Sequence, residues 1–173
     1  MRSTIVMMAT VLMFGLGCGG ALDAVADLAG IEMSMQTGDS AVHPADFPAT
    51  PPEAGKKVFS MSLVTEADSV NLPDEVDVPL EDGAMYKTEM ITYQVPSDVA
   101  SALVATAKEQ TLAAGYEDKP VDEQPEESEV VLLAKGSTMF IIVGSKERNG
   151  EETALVLMRI QPAPESDEAA SPE

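Results

Sequence analysis

Three apolar segments in the last third of the 173-residue chain follow one another so closely that they can pair in only one way. The segments are 130–134, 138–144 and 153–161. Lys135-Gly136-Ser137 joins the first two, and Arg148-Asn149-Gly150 lies between the last two, where Asn-Gly accepts the positive φ angles of a hairpin turn. A parallel crossover needs about a dozen residues or more. We therefore predict an antiparallel meander of three strands.

Two earlier segments have the alternation of a half-buried strand, in which every second residue is apolar. They span 57–64 and 85–95. Their apolar faces are predicted to consist of Phe59, Met61 and Leu63 in the first strand and of Ile91, Tyr93 and Val95 in the second. Both segments are therefore expected to join the sheet.

One helix is predicted between these strands and the meander. Ser97 is expected to be its N-cap, and Gly115 is the expected C′ residue after the last turn. Tyr116 would then return toward the core. The apolar stripe of this helix is formed by Val99, Leu103 and Ala107, flanked by Ala102, Val104 and Leu112.

This order of elements, strand-strand-helix-strand-strand-strand, predicts an α+β fold. We expect one mainly antiparallel sheet of about five strands with one helix packed on a face. Glycine and proline are dense between Gln36 and Gly55, which predicts an extended spacer. The folded domain is accordingly expected to span 56–161. The acidic tail, 162–173, is too poor in apolar groups to fold.

The N-terminus has the order of an export signal: a cation at Arg2, an apolar run from Ile5 to Leu16, and then small residues. The run is too short for the roughly 20 residues that a membrane-spanning helix needs. Cys18, the only cysteine, follows this run directly. A cysteine at this point is typical of the lipid-accepting cysteine of bacterial lipoproteins.

We therefore predict a signal peptide over 1–17, then a lipid anchor at Cys18, a short helix over 22–29 and the Pro-rich spacer, together 18–55. Acylation would also remove a lone thiol, which is a liability in an exported protein. Ordinary secretion, with cleavage after a small pair such as Gly19 and Ala21, is the alternative.

Several short motifs resemble those of a group of uncharacterised bacterial lipoproteins with a small α+β envelope domain. They are Gly38-Asp39-Ser40-Ala41, Pro44-Ala45-Asp46-Phe47-Pro48, Val78-Pro79-Leu80-Glu81-Asp82-Gly83-Ala84 and Ala114-Gly115-Tyr116. The resemblance covers most of the mature chain and implies a lipid-anchored envelope protein, with no activity or binding residues to carry over. Gly19 is not the aspartate that retains lipoproteins at the inner membrane, so the resemblance favours the outer membrane. A secreted or periplasmic protein is the alternative.

Composition excludes several classes of function. The formal net charge of −20 repels phosphate backbones, so nucleic-acid binding is not expected. His43, the only histidine, lies in the predicted spacer, where we expect a solvated residue rather than a catalytic base. The chain has no nucleophile elbow, phosphate-binding glycine loop or zinc-spaced Cys/His set. We therefore expect a protein that is not an enzyme and has no cofactor.

Carboxylates cluster in two loops, and clustered oxygen ligands suit calcium. Glu75, Asp77, Glu81 and Asp82 are weak calcium candidates in the first loop, and the second spans 117–129. Neither has the register of a calcium-binding loop, and prolines interrupt both, so a solvated charge run is the expected interpretation and no metal site is predicted.

Methionine thioethers can bind copper(I), but only Met33 and Met35 lie close together in the sequence. Core filling is therefore the expected role of Met61, Met85, Met90, Met139 and Met158.

The sequence predicts a non-catalytic, lipid-anchored protein of the cell envelope that serves as an interaction or assembly module. Its membrane contact would be the lipidated Cys18, and its partner would be another envelope protein. A module that binds a small ligand or calcium weakly is the alternative. The oligomeric state is left open.

Overall fold

The computed structural model describes residues 33–67, 81, 83–121, 128–145 and 151–164. These residues form one sheet and one α-helix. The elements are β1 (Met33–Thr37), β2 (Lys56–Glu66), β3 (Met85–Pro96), α1 (Ala100–Ala113), β4 (Glu117–Lys119), β5 (Ser128–Lys135), β6 (Thr138–Ser145) and β7 (Glu152–Pro162). The predicted signal peptide, Cys18, the predicted short helix over 22–29, the Arg148-Asn149-Gly150 turn and most of the predicted tail lie outside the described residues.

The sheet has seven strands in the order β1-β2-β3-β7-β6-β5-β4, and every neighbouring pair is antiparallel. The predicted α+β class with one antiparallel sheet and a single helix is confirmed. So is the meander, because β5, β6 and β7 are consecutive neighbours. β7 also pairs along its whole length with β3, which places these two long strands near the centre of the sheet.

Two strands were not predicted, and the estimate of about five strands is therefore too low. β1 is a five-residue edge strand that pairs with residues 59–63 in the middle of β2. β4 consists only of Glu117, Asp118 and Lys119, and it pairs with the end of β5 at the opposite edge. β4 has no apolar residue and β1 has only Met33 and Met35, so both segments are too short and too polar to stand out as strands in the sequence. An edge strand is held mainly by its backbone hydrogen bonds to one neighbour.

The predicted spacer over 36–55 is part of the folded domain, so its interpretation as an extended linker was wrong. Ala41, Phe47 and Ala49 are buried, and the backbone N–H of Val42 donates a hydrogen bond to Ser60 Oγ over 3.1 Å. Prolines and glycines prevent this segment from forming a helix or a central strand, but they do not prevent irregular chain from packing on a sheet. The folded unit consequently begins at or before β1 rather than at residue 56.

The predicted start of the helix is wrong, whereas its predicted end is correct. Its N-cap is Val99, with no side-chain hydrogen bond, so Ser97 is not the cap. At the other end Gly115 has a φ of +88°, and its N–H donates to the carbonyl of Leu112 over 2.9 Å. The N–H of Tyr116 donates to the carbonyl of Thr111 over 3.3 Å, which completes a Schellman motif. The predicted role of Gly115 is confirmed.

Helix α1 lies on one face of the sheet, against β5, β6 and β7. We call this the helix face. Its fully buried residues are Ile91, Tyr93, Val95, Val104, Leu133, Phe140, Ile142, Leu155 and Leu157. The helix approaches closely at Gly144, where a Cβ atom would lie 2.5 Å from Val104 Cγ2. The segment 41–49 packs on the same face, where it contacts Ser60 of β2, Tyr93 of β3 and Phe140 of β6.

The opposite face, which we call the open face, has no helix over it among the residues that the structure describes. Successive strand residues point to opposite faces, and paired residues share a face. A smaller cluster on this side buries Tyr86, Leu132, Met139, Ile141 and Ile160. β6 therefore contributes buried side chains to both faces, as its continuous apolar run predicts.

Candidate functional site

The first candidate is His43. It was predicted to lie in a spacer, but in the structure it packs against the sheet and is hydrogen-bonded through both ring nitrogens. Its ring nitrogens are 2.7 Å from Tyr93 Oη and 2.9 Å from the carbonyl oxygen of Ala49. Its ring also meets that of Phe47 edge-on, with the centroids 5.3 Å apart. His43 is half-buried, so the expectation of a solvated linker residue was wrong.

The partners of His43 define its tautomer. A carbonyl oxygen only accepts, so Nε2 carries the proton and donates it to Ala49, while Nδ1 accepts from the Tyr93 hydroxyl. Burial lowers the pKa of His43, and burial also raises the pKa of Tyr93 to about 12. Both groups are thus held neutral and fully hydrogen-bonded. They attach the segment 43–49 to β3, and no described nucleophile is among the hydrogen-bond partners of His43.

The second candidate is a charged cluster around Arg159 on β7. The Arg159 side chain is 5% exposed, and its guanidinium is bonded on every side. Nη1 and Nη2 reach the two carboxylate oxygens of Asp46 over 2.8 and 3.0 Å, and Nε reaches Glu89 Oε2 over 3.1 Å. The Phe47 ring lies 5.0 Å from the guanidinium carbon. Nη1 also donates to the backbone carbonyl of Asp46 over 3.2 Å, and Nη2 donates to Glu89 Oε2, so all five N–H groups are used and none is left for an anionic ligand.

The electrostatics of this cluster follow from its pairing. The hydrogen bond from Arg159 lowers the pKa of Asp46. Burial alone would lower the pKa of Arg159, but its hydrogen bonds to Asp46 and Glu89 outweigh burial and raise it. Glu89 also pairs with Lys87 over 2.9 Å. One signal of this arrangement is visible in the sequence, since Arg159 occupies a position of β7 that alternation assigns to the same face as Leu155 and Leu157.

The third candidate is a row of methionines on the open face. Met35 pairs directly with Met61, Met61 with Met90, and Met90 with Met158, so that one thioether side chain stands on each of four adjacent strands. We call these four residues the methionine row. The next position along the row is Ile141.

The row lies within a larger apolar surface. Six of the seven described methionines are on the open face, and only Met85 is on the other. The four residues of the row are partly exposed, as are their neighbours Phe59 and Leu63 on β2, whereas Met139 is buried. Sequence reasoning missed the row because its members are far apart in the chain, and only the strand register brings them together.

The acidic calcium candidates are not brought together by the described structure. Glu75, Asp77 and Asp82 lie outside the described residues, and Glu81 is exposed. Among the described residues no group of three or more His, Cys, Asp or Glu side chains is arranged to hold a metal ion. A shallow hollow of about 410 Å³ lies beside β4 and β5, where Lys108 pairs with Asp118 over 2.5 Å. The predicted solvated charge run and its alternative, weak calcium binding by the loops, both stay untested.

Comparison with known protein families, with curated proteins and with solved structures finds no match to this chain. Within the described part of the chain, no helix has the length and apolar character to span a membrane.

Proposed function

We propose that the chain is a non-catalytic, lipid-anchored protein of the bacterial cell envelope, whose domain binds another polypeptide through the open face of its sheet. The observation that carries this proposal is the set of partly exposed apolar side chains on that face, around Phe59, Met61 and Leu63. A helix covers one side of the sheet, whereas the described residues place no helix on the other.

The character of these side chains suits a binding surface. Methionine is flexible and polarizable, and it is common on surfaces that adapt to more than one apolar partner. The polar clusters of the helix face are by contrast closed, since His43 and Arg159 use their hydrogen-bonding groups within the domain. They stabilise the fold and offer no reactive group, which supports a binding role over an enzymatic one.

Charge indicates the chemistry of the partner. The formal net charge of −20 would repel a second copy of this chain and attract a cationic segment. We therefore propose that the partner contributes a Lys/Arg-rich amphipathic segment whose apolar side packs on the open face. Such a segment would gain binding free energy in two ways. Its apolar side removes apolar surface from water, and its basic side is attracted by the negative charge of the domain.

The position of Cys18 in the sequence supports the proposed location at the membrane. Cys18 directly follows a short apolar run, and only residues 19–32 separate it from β1. Even fully extended, that length of chain spans at most about 50 Å. The domain would therefore stay near the membrane surface, with the outer membrane favoured and a secreted or periplasmic protein as the alternative.

Binding is tested with synthetic peptides of defined chemistry. A Leu/Lys amphipathic peptide should bind the purified domain, and a Leu/Glu peptide with the same apolar pattern should not. Phe59→Ser should weaken binding of the Leu/Lys peptide, whereas Thr106→Ser, an exposed position on α1, should not. Equal binding of both peptides, or binding that is insensitive to Phe59→Ser, would refute the assignment of the open face.

The anchor is tested separately. Cells fed an alkyne-tagged fatty acid should label the chain, and Cys18→Ser should abolish the label and move the protein from the membrane to the soluble fraction. A parent chain that takes up no label, or a Cys18→Ser variant that keeps it, would refute lipidation at Cys18 without affecting the proposal for the open face.

A further inference from the structure

We propose that the methionine row is a binding site for a soft monovalent cation, with Cu(I) as the ligand class and Ag(I) as its redox-inert substitute. The row consists of Met35, Met61, Met90 and Met158, one on each of four adjacent strands. The inference does not depend on the proposed function, although both concern the open face.

Strand register supplies the geometry that a soft cation needs. Directly paired residues of an antiparallel sheet have Cβ atoms about 4.5–5.5 Å apart. A zinc–sulfur bond is about 2.3 Å long, and with bonds of similar length two sulfurs on one ion are at most about 4.6 Å from each other. Met61 and Met90 are therefore spaced so that both sulfurs can reach a common ion. The flexible side chain of Met35 or Met158 can supply a third ligand from the next strand.

Ligand chemistry makes the site selective. Thioethers are soft, neutral ligands that favour Cu(I) over the hard cations that carboxylates bind. The described residues contain no competing group of three or more His, Cys, Asp or Glu ligands. The net charge of −20 raises the local concentration of any cation. The thioether sulfurs are themselves uncharged, so they can lie in an apolar surface without burying a negative charge.

Core filling accounts for Met139 and for part of the role of Met158, which packs against the same buried cluster, but it does not account for Met35, Met61 and Met90. Met139 is 3% exposed and belongs to the buried cluster of the open face, where an adaptable side chain fills space. All four members of the row are partly exposed, and they are consecutive partners in the ladder. Accessible thioethers in register on four strands form a site that a cation can enter.

The test uses the full chain with Cys18→Ser, which removes the only thiol and so the only other strong sulfur ligand. Cu(I) is titrated without oxygen against a coloured Cu(I) chelator, and Ag(I) binding is followed by the shift of the thermal unfolding midpoint. We expect the chain to withdraw one equivalent of Cu(I) from the chelator and Ag(I) to raise the midpoint.

Leucine variants identify the ligands because leucine keeps the volume and apolar character of methionine but lacks the sulfur. Met61→Leu with Met90→Leu should lower Cu(I) affinity at least tenfold and abolish the Ag(I) shift. Met139→Leu, the matched control, should change neither. If the double variant does not fold, Met35→Leu on the edge strand replaces it and should lower the affinity in the same direction.

Two results would overturn the inference: no competition with the chelator by the parent chain, or equal Cu(I) affinity in the parent and the leucine variants. Phe59→Ser, which should weaken binding of the Leu/Lys peptide, should leave the Cu(I) affinity unchanged because it removes no sulfur ligand. Failure of the cation site and failure of the peptide site are thus distinguishable.

Discussion

Arg159 and Asp46 are 113 positions apart in the chain, and they form a two-pronged ion pair with N–O distances of 2.8 and 3.0 Å. The pair joins the segment before β2 to the middle of β7. Its two ends differ, because the Arg159 side chain is 5% exposed and the Asp46 side chain is 71% exposed. This asymmetry decides what each substitution should cost.

Arg159→Met should destabilise the domain strongly, by about 3 kcal/mol, because it leaves Glu89 half-paired in a buried position. Asp46→Asn should cost under about 1 kcal/mol, since the exposed carboxylate is screened by solvent. Urea denaturation of both variants measures the free energy of unfolding. Equal costs for the two substitutions would contradict the described burial.

Stability should depend on the protonation of His43. Its pKa is lowered in the folded state by burial, so the unfolded chain binds the proton more readily. The contribution of His43 is therefore complete above the unfolded pKa of about 6.5 and is lost as pH falls below that value toward the folded pKa.

The measurement compares unfolding free energies between about pH 7.5 and pH 5.5 for the parent and for His43→Gln. Part of the acid-induced loss should disappear in the variant, whose amide can still donate to Ala49. An identical pH slope in both proteins would show that His43 titrates normally.

Gly144 should tolerate no side chain. A Cβ atom there would lie 2.5 Å from Val104 Cγ2, so Gly144→Ala must push α1 away from the sheet at a cost of about 1–3 kcal/mol. Val104→Ala in the same chain should recover part of this cost, and a double-mutant cycle measures the coupling. Additive effects would contradict the close approach of helix and sheet.

The folded unit should require the residues before 56. A chain that starts at Lys56 loses β1, the edge-on contact of Phe47 with Phe140 at 5.2 Å between centroids, and the Asp46 partner of Arg159. We expect it to lack a cooperative unfolding transition, whereas a chain that starts at Met33 should unfold like the full chain. If the shorter chain unfolded cooperatively at the same midpoint, the folded domain would begin at residue 56, as the sequence analysis predicted.

Local patterns predicted the regular elements well. Alternation located β2 and β3, the short connections gave the meander, and the φ of +88° at Gly115 confirms the predicted helix end. These features depend on residues that are neighbours in the chain, so a single sequence contains them.

The missed features depend on partners distant in the chain. β1 is a strand because β2 is beside it, and Ala41 and Ala49 are buried because irregular chain packs on the sheet. The apolar side of β2 was read correctly, but Phe59, Met61 and Leu63 lie on the open face and remain partly exposed. The buried side of β2 instead contains Ser60, which bonds to Val42. Only tertiary contacts determine which face is covered.

The central claim, that the open face of the sheet is the surface that binds a polypeptide partner, is tested most directly by site-specific photo-crosslinking in intact envelopes. A photoreactive amino acid replaces Phe59 on the open face or Thr106 on α1, and the crosslinked peptide is sequenced. We predict an adduct from position 59 to a Lys/Arg-rich segment with one apolar side, and none from position 106. No adduct from position 59, or equal adducts from both positions, would contradict the claim.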